Sequence, residues 1–194
     1  MYINCKGKLI DLSSPKLMGI INLTPDSFYS SSRHTTDAQV LKSAEKMLLE
    51  GADFLDLGAY SSRPGASDIS EAEELERLLP AINSILNEFP ESLISVDTFR
   101  SEIAKTAVEN GAALINDISA GNLDKQMIPT IAKLQVPYIM MHMRGNPATM
   151  QTKTNYSDIL VEILNYFAEK LDVIRKFGIK DVIIDPGFGF AKNL

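Results

Sequence analysis

The sequence predicts an α/β chain on a parallel sheet, a (β/α)8 TIM barrel of which six strands are present. Three observations lead there. Short apolar runs alternate with longer stretches of helical spacing. The runs are apolar throughout rather than at every second residue, as in strands covered on both faces. Polar residues gather at the carboxyl ends of the runs, where such barrels build their active sites.

The elements follow in order. Residues Tyr2 to Leu12 read as a small hairpin turning at Gly7, and residues 1–14 as an amino-terminal cover for the barrel's bottom. The first barrel strand is Leu17 to Asn22. Its helix, Ala38 to Glu50, carries Val40, Leu41, Ala44, Met47 and Leu48 at helical spacing and stops at Gly51. Phe54 to Leu57 is the second strand, before a helix that opens at Ser70 with Glu73 three residues on, a capping-box pattern. Leu93 to Asp97 precedes a helix over Glu102 to Glu109, closed by Gly111. Ala113 to Asn116 precedes Lys125 to Leu134, and Tyr138 to Met141 precedes Ile159 to Phe177, closed by Gly178. Val182 to Asp185 is the sixth strand.

Repeated βα units also suit an open doubly wound sheet. No Gly-x-Gly-x-x-Gly turn follows the first strand, which weakens the dinucleotide-binding form of that alternative. A closed barrel has eight strands and typically about 250 residues. Residues 1–194 are therefore expected to form one domain lacking its last two βα units, interrupted in the glycine-rich turn after Asp185.

Composition narrows the function. The net charge of −6 argues against nucleic-acid and anionic-membrane partners, which call for a basic face. A single cysteine, Cys5, excludes an internal disulfide and fits a reducing compartment. No apolar run approaches the roughly 20 residues of a membrane span, and the first residues carry no signal-peptide pattern, so the cytoplasm is expected.

Four strand-end segments carry the chemistry. In the first, Asn22 offers a neutral oxygen suited to a hard cation such as Mg2+, ahead of a turn-rich loop from Thr24. In the second, Gly58 to Ala66, Arg63 stands between Ser62 and Pro64, and its planar fork suits a carboxylate or pyrophosphate. Asp56, inside the preceding strand, reads as a hydrogen-bonded core acid. The third is a set spread over three strands, Asp97, Asn116 and Asp185, whose acceptors match the parallel N–H donors of an aminopyrimidine edge. Desolvated acids need a partner, so a ligand or a lysine is expected beside them. Asp117 reads as a turn-ordering neighbour. The fourth, Met140 to Gln151, holds sulfur-rich side chains that pack either in the core or against a flat heterocycle. His142 has no second histidine or cysteine at metal-binding spacing, which argues against zinc.

Together the segments resemble the dihydropteroate synthase family. Asn22-Leu23-Thr24-Pro25-Asp26-Ser27-Phe28, Ser62-Arg63-Pro64-Gly65, Ser95-Val96-Asp97-Thr98, Ile115-Asn116-Asp117, Met141-His142-Met143 and Asp185-Pro186-Gly187-Phe188-Gly189-Phe190 stand in that family's order. The resemblance implies transfer of a 7,8-dihydropterin-6-ylmethyl group from its diphosphate to p-aminobenzoate, in a cytoplasmic homodimer. It assigns Asp97, Asn116 and Asp185 to the pterin, with Ile118 and Met141 against the ring, and Asn22 to Mg2+ and pyrophosphate. Asp26 and Phe28 fall in the first catalytic loop. Ser62, Arg63 and Pro64 of the second loop, with Phe190, form the p-aminobenzoate side, where sulfonamides compete; Arg63 is also given a catalytic role. The family's seventh-strand lysine and eighth-strand arginine and histidine are expected beyond Leu194.

The sequence departs from the family at Ser30, where an acid is usual, at Tyr60 (Glu or Gln), Ser62 (Thr) and Ala191 (Gly). Two other readings stand beside the synthase. One is a pterin-barrel methyltransferase serving a corrinoid protein, against which the Ser62-Arg63-Pro64-Gly65 loop speaks. The other is a synthase-like binding module without catalysis.

Overall fold

The computed structural model describes residues 1–24, 33–61 and 68–193, and of residues 33–36 the backbone alone. Two strands, β1 (Tyr2–Cys5) and β2 (Lys8–Asp11), pair antiparallel as a hairpin. Lys6 and Gly7 both take positive φ, 54° and 82°, the turn that matches the twist of a two-residue hairpin.

Six further strands follow: β3 (Met18–Asn22), β4 (Phe54–Gly58), β5 (Ile94–Asp97), β6 (Leu114–Asp117), β7 (Tyr138–Met141) and β8 (Val182–Asp185). They form one parallel sheet in chain order, β3-β4-β5-β6-β7-β8, so each strand pairs with the next and β3 and β8 are its edges. Helices α1 (Arg33–Leu49), α2 (Glu71–Glu88), α3 (Ser101–Glu109), α4 (Met127–Leu134) and α5 (Ile159–Lys176) supply the crossovers. This is the (β/α) progression the sequence predicts, an arc of a barrel with its helices outside. Among the described residues no helix is long and apolar enough to cross a membrane.

Two apolar layers hold the arc. The larger lies between the sheet's outer face and the helices, with Leu55, Leu57, Val96, Ile115, Tyr138 and Met140 meeting Leu78, Ile82, Ile103 and Ile131. The smaller fills the bottom of the lumen, where Phe54, Leu114 and Ile139 pack on Ile3 and Cys5 of the hairpin. The hairpin therefore plugs the end opposite the strand carboxyl termini. Burial there, with the nearby negative charge of Asp181, raises the Cys5 thiol pKa to about 11, so the thiol is inert.

Local signals explain the boundaries. Ser70 caps α2 by accepting from the Glu73 backbone N–H at 3.2 Å, and Asp158 caps α5 in the same way through Val161. Helix α4 starts at Met127, two residues later than its composition suggests. Asp124 accepts from the Ser101 and Gln126 backbones, which commits residues 124–126 to a turn.

Candidate active site

The parallel register brings the strand-end polar residues to one level. Asn22 stands opposite Gly58, Gly58 opposite Asp97, and Asp97 opposite Asn116. In-register neighbours on parallel strands share a face, so Asn22, Asp97 and Asn116 all point into the lumen. Gly58 supplies the room between them. A β-carbon there would lie 3.6 Å from Asp97 Oδ2 and 3.7 Å from Asn22 Oδ1. Met141 and Asp185, opposite one another on β7 and β8, form the next level toward the mouth.

The lumen is acidic. Asn116 Nδ2 donates to Asp56 Oδ2 at 3.1 Å, while Asp56 Oδ1 and the Ser95 hydroxyl, both buried, lack hydrogen-bond partners among the described residues. Burial pushes the Asp56 carboxyl above its ordinary pKa. Asp97 is raised further, first by desolvation and then by the negative charges of Asp56, Asp117 and Glu74. Of the ligand or lysine expected beside these acids, a lysine is found near Asp185, whose negative charge acts on Lys192, while the charges acting on Asp97 are all negative. What fits is a ligand edge rich in N–H donors.

Asp117, one residue on from Asn116, faces the opposite way and does order a turn. It accepts from the Ser119 and Gly121 backbones, each at 2.7 Å, and from the Tyr138 hydroxyl at 2.6 Å.

An apolar wall closes one side of the mouth. Ile118, Met141, Met143, Met150 and Ala191 are buried together, with Phe99 and Phe190 packed against them. The structure thus unites Ile118, Met141 and Phe190, which the sequence places on three separate segments. Phe188, two residues before Phe190, is 85% exposed. Of the methionine run, Met140 packs in the core toward the helices, while Met141 and Met143 are buried in the apolar cluster at the mouth. Asp185 accepts from the Gly187 backbone at 2.8 Å, which bends the chain after β8 across the mouth.

A second network lies behind the site. Glu74, 1% exposed, pairs with Arg100 at 2.8 Å and accepts from Thr98 Oγ1 at 2.8 Å. Arg100 also donates to the Ile69 carbonyl at 2.8 Å and sits 5.3 Å over the Tyr60 ring, whose edge meets Phe99. Tyr60, where the family more often has Glu or Gln, thus has an aromatic role. Asp26, Phe28, Ser62, Arg63 and Pro64 lie outside the described residues, as does the departure at Ser30.

The comparison that decides the family is a match to the pterin binding enzyme model over residues 18–194. The chain belongs to the pterin-binding enzyme family. Within that family it is similar to the dihydropteroate synthase of Escherichia coli K12, 39% identical across the whole of this chain and 69% of that protein. The mitochondrial folate synthesis bifunctional protein of Arabidopsis thaliana is 45% identical over 96% of this chain; the chain spans about a third of it, 35%. Among solved structures, the Yersinia pestis dihydropteroate synthase in a sulfonamide drug complex superposes with a TM-score of 0.89 at 37% identity, over 100% of this chain and 70% of that one. The Xanthomonas albilineans dihydropteroate synthase with 4-aminobenzoic acid gives 0.89 at 36% identity, over 99% and 68%. Both support the barrel architecture, of which the described residues of this chain present six consecutive strands.

Sequence reasoning passes over Lys192, Arg100 and Glu74. Lys192 donates to His142 Nδ1 at 2.9 Å and to three backbone carbonyls. The only hint in the sequence is a lysine placed shortly after the Asp185–Phe190 motif.

Proposed function

We propose that the protein is a dihydropteroate synthase, transferring the 7,8-dihydropterin-6-ylmethyl group from its diphosphate to the amine of p-aminobenzoate. The observation that carries this reading is the in-register meeting of Asn22, Asp97 and Asn116 in an acidic lumen, beside the wall of Ile118, Met141 and Phe190. Asp97, Asp185 and the Asn116 amide oxygen accept the N–H donors of the pterin's aminopyrimidine edge. Ile118 and Met141 pack on the ring face. Acceptors around an electron-rich ring favour positive charge on the exocyclic methylene, so the carbon–oxygen bond breaks with its electron pair leaving on pyrophosphate. The arylamine nitrogen then bonds to that carbon and releases its extra proton to water. Phe190, Ser62, Arg63 and Pro64 line the p-aminobenzoate side, and Asp26 and Phe28 serve the first loop.

Mg2+ fits this mouth. Among the described residues no three acids, histidines or cysteines cluster as a metal cage. Asn22 offers one neutral oxygen, which suits a cation drawing most of its ligands from phosphate and water. When bound, Mg2+ neutralises the charge developing on the departing pyrophosphate. The same reading places the protein in the cytoplasm as a homodimer.

The test is direct. The protein, given the pterin diphosphate, p-aminobenzoate and Mg2+, should release pyrophosphate and 7,8-dihydropteroate in equal amounts by mass spectrometry. Arg63→Ala should raise the p-aminobenzoate KM and leave pterin affinity unchanged. Pyrophosphate release that does not depend on the arylamine would refute the assignment. Light scattering that finds only monomers would refute the homodimer.

A further inference from the structure

Lys192 occupies a place that neither the proposed chemistry nor the barrel's packing requires of it. Its ammonium donates to His142 Nδ1 at 2.9 Å, the Phe190 carbonyl at 3.0 Å, and the His142 and Gly187 carbonyls at 3.1 Å each. Three N–H donors thus serve four acceptors drawn from two loops, so the group is saturated. The loops are at closest approach here. A β-carbon on Gly187, whose φ is +69°, would run into the His142 carbonyl and come within 3.0 Å of Met141 Cγ. His142 is 3% exposed, and the Tyr166 ring meets it edge-on at 4.8 Å. An acceptor at Nδ1 puts the proton of the neutral ring on Nε2.

We propose that Lys192 is a positioning residue that clamps the turn after β8 to the end of β7, fixing the distance between Met141 and Phe190. Under the functional reading above, on which this role rests, Met141 touches the pterin and Phe190 the arylamine. The clamp therefore sets how the two substrates meet, while the contacts of Asp97 and Asn116 with the pterin are made elsewhere. Near-attack geometry tolerates little displacement, and a shift of about 1 Å can cost on the order of a hundredfold in rate. A flexible lysine stem with a compact charge suits a site that must reach past Gly187 to a ring nitrogen.

Two variants and two readouts test this. Lys192→Met removes the donors and keeps the stem; Lys192→Arg keeps charge and donors. In long-range 1H–15N spectra, His142 of the wild type should show a proton on Nε2 and a hydrogen-bonded, unprotonated Nδ1. Lys192→Met should change the Nδ1 signal, and Lys192→Arg should restore most of it. In steady-state kinetics, Lys192→Met should lower kcat/KM for p-aminobenzoate about ten- to hundredfold. Pterin diphosphate affinity by calorimetry should fall by a smaller factor than kcat/KM for the arylamine, because Asp97 and Asn116 hold the ring independently of the clamp. Arylamine kinetics left unchanged would overturn the proposal. So would equal weakening of both substrates that Lys192→Arg does not reverse, since that is what a merely structural lysine gives. A protein that makes no dihydropteroate sinks the functional reading alone, and the histidine spectrum then decides the clamp by itself.

Discussion

Asn116 on β6 and Asp56 on β4 are joined by a hydrogen bond of 3.1 Å that passes over β5, the strand between them. The bond commits the amide nitrogen of Asn116 and leaves its oxygen as an acceptor for whatever enters the lumen. Asp56→Ala frees the amide to turn. Pterin affinity should then fall by about 1–2 kcal/mol, the cost of a mispaired hydrogen bond. Thermal stability should change less, because a desolvated acid with one unpaired oxygen is removed along with the contact. Calorimetry and a melting curve on the same variant check both halves, and unaltered pterin affinity would show that Asn116 holds its orientation unaided.

Asp97 should trade stability for binding. Its carboxyl titrates above the ordinary range because it is desolvated and lies within reach of the negative charges of Asp56, Asp117 and Glu74. A carboxyl whose folded pKa is raised binds protons more tightly when folded, so stability falls as pH rises from the ordinary carboxylate range through the raised pKa. At neutral pH the ligand-free protein carries that penalty. Asp97→Asn should therefore stabilise it by about 0.5–2 kcal/mol, within the range of single stabilising substitutions. The same change puts a donor toward a donor and should weaken pterin binding by about 1–3 kcal/mol. Melting at neutral pH together with calorimetry tests the pair, and a destabilised variant would contradict it.

The buried Glu74–Arg100 pair behaves differently. Arg100→Met strands a carboxylate that is 1% exposed and should cost about 3–5 kcal/mol. The double substitution Arg100→Met with Glu74→Leu should recover most of that loss. Chemical denaturation of the wild type, Arg100→Met, Glu74→Leu and the double variant measures the coupling, and simple additivity would deny it.

His142 predicts an acid sensitivity. Burial, then the charges of Lys192 and Arg144, lower its pKa from 6.5 to about 4. The unfolded chain therefore takes up the proton first, and stability is lost as pH falls from about 6.5 toward 4. The loss should reach about 1–3 kcal/mol. His142→Gln should remove this part of the pH dependence, measured as the difference in slope between the two stability curves.

Much of the fold and part of the site are legible in the sequence, for physical reasons. Strand β7, Tyr138–Met141, and strand β8, Val182–Asp185, fall where unbroken apolar runs place them, and Ser70 caps as its spacing with Glu73 implies. Strand ends are readable from where each apolar run stops, and that alone puts Asn22, Asp97 and Asn116 at one end of the sheet. Helix α1 begins at Arg33, ahead of the expected Ala38, because its first turn is polar and carries no apolar period. The contacts made by Asp56, Arg100 and Lys192 are hidden for another reason. Each joins residues of different βα units, 60, 26 and 50 positions apart, where neither periodicity nor local spacing reports. Phe188 and Phe190 look alike in sequence, and only the fold of the turn separates the exposed ring from the packed one.

Asn116 and Asp117 are consecutive, yet one faces the lumen and the other orders a turn on the helix side. With a side-chain period of two, no slack exists between these duties. Deleting or inserting a single residue in β6 would exchange them, burying the amide among the helices and delivering a further carboxylate to the lumen. Length change in this strand is thus closed to the protein's evolution even where substitution is open. Variation in this part of the barrel is left to the loop beyond Gly121, past the last backbone group that Asp117 holds.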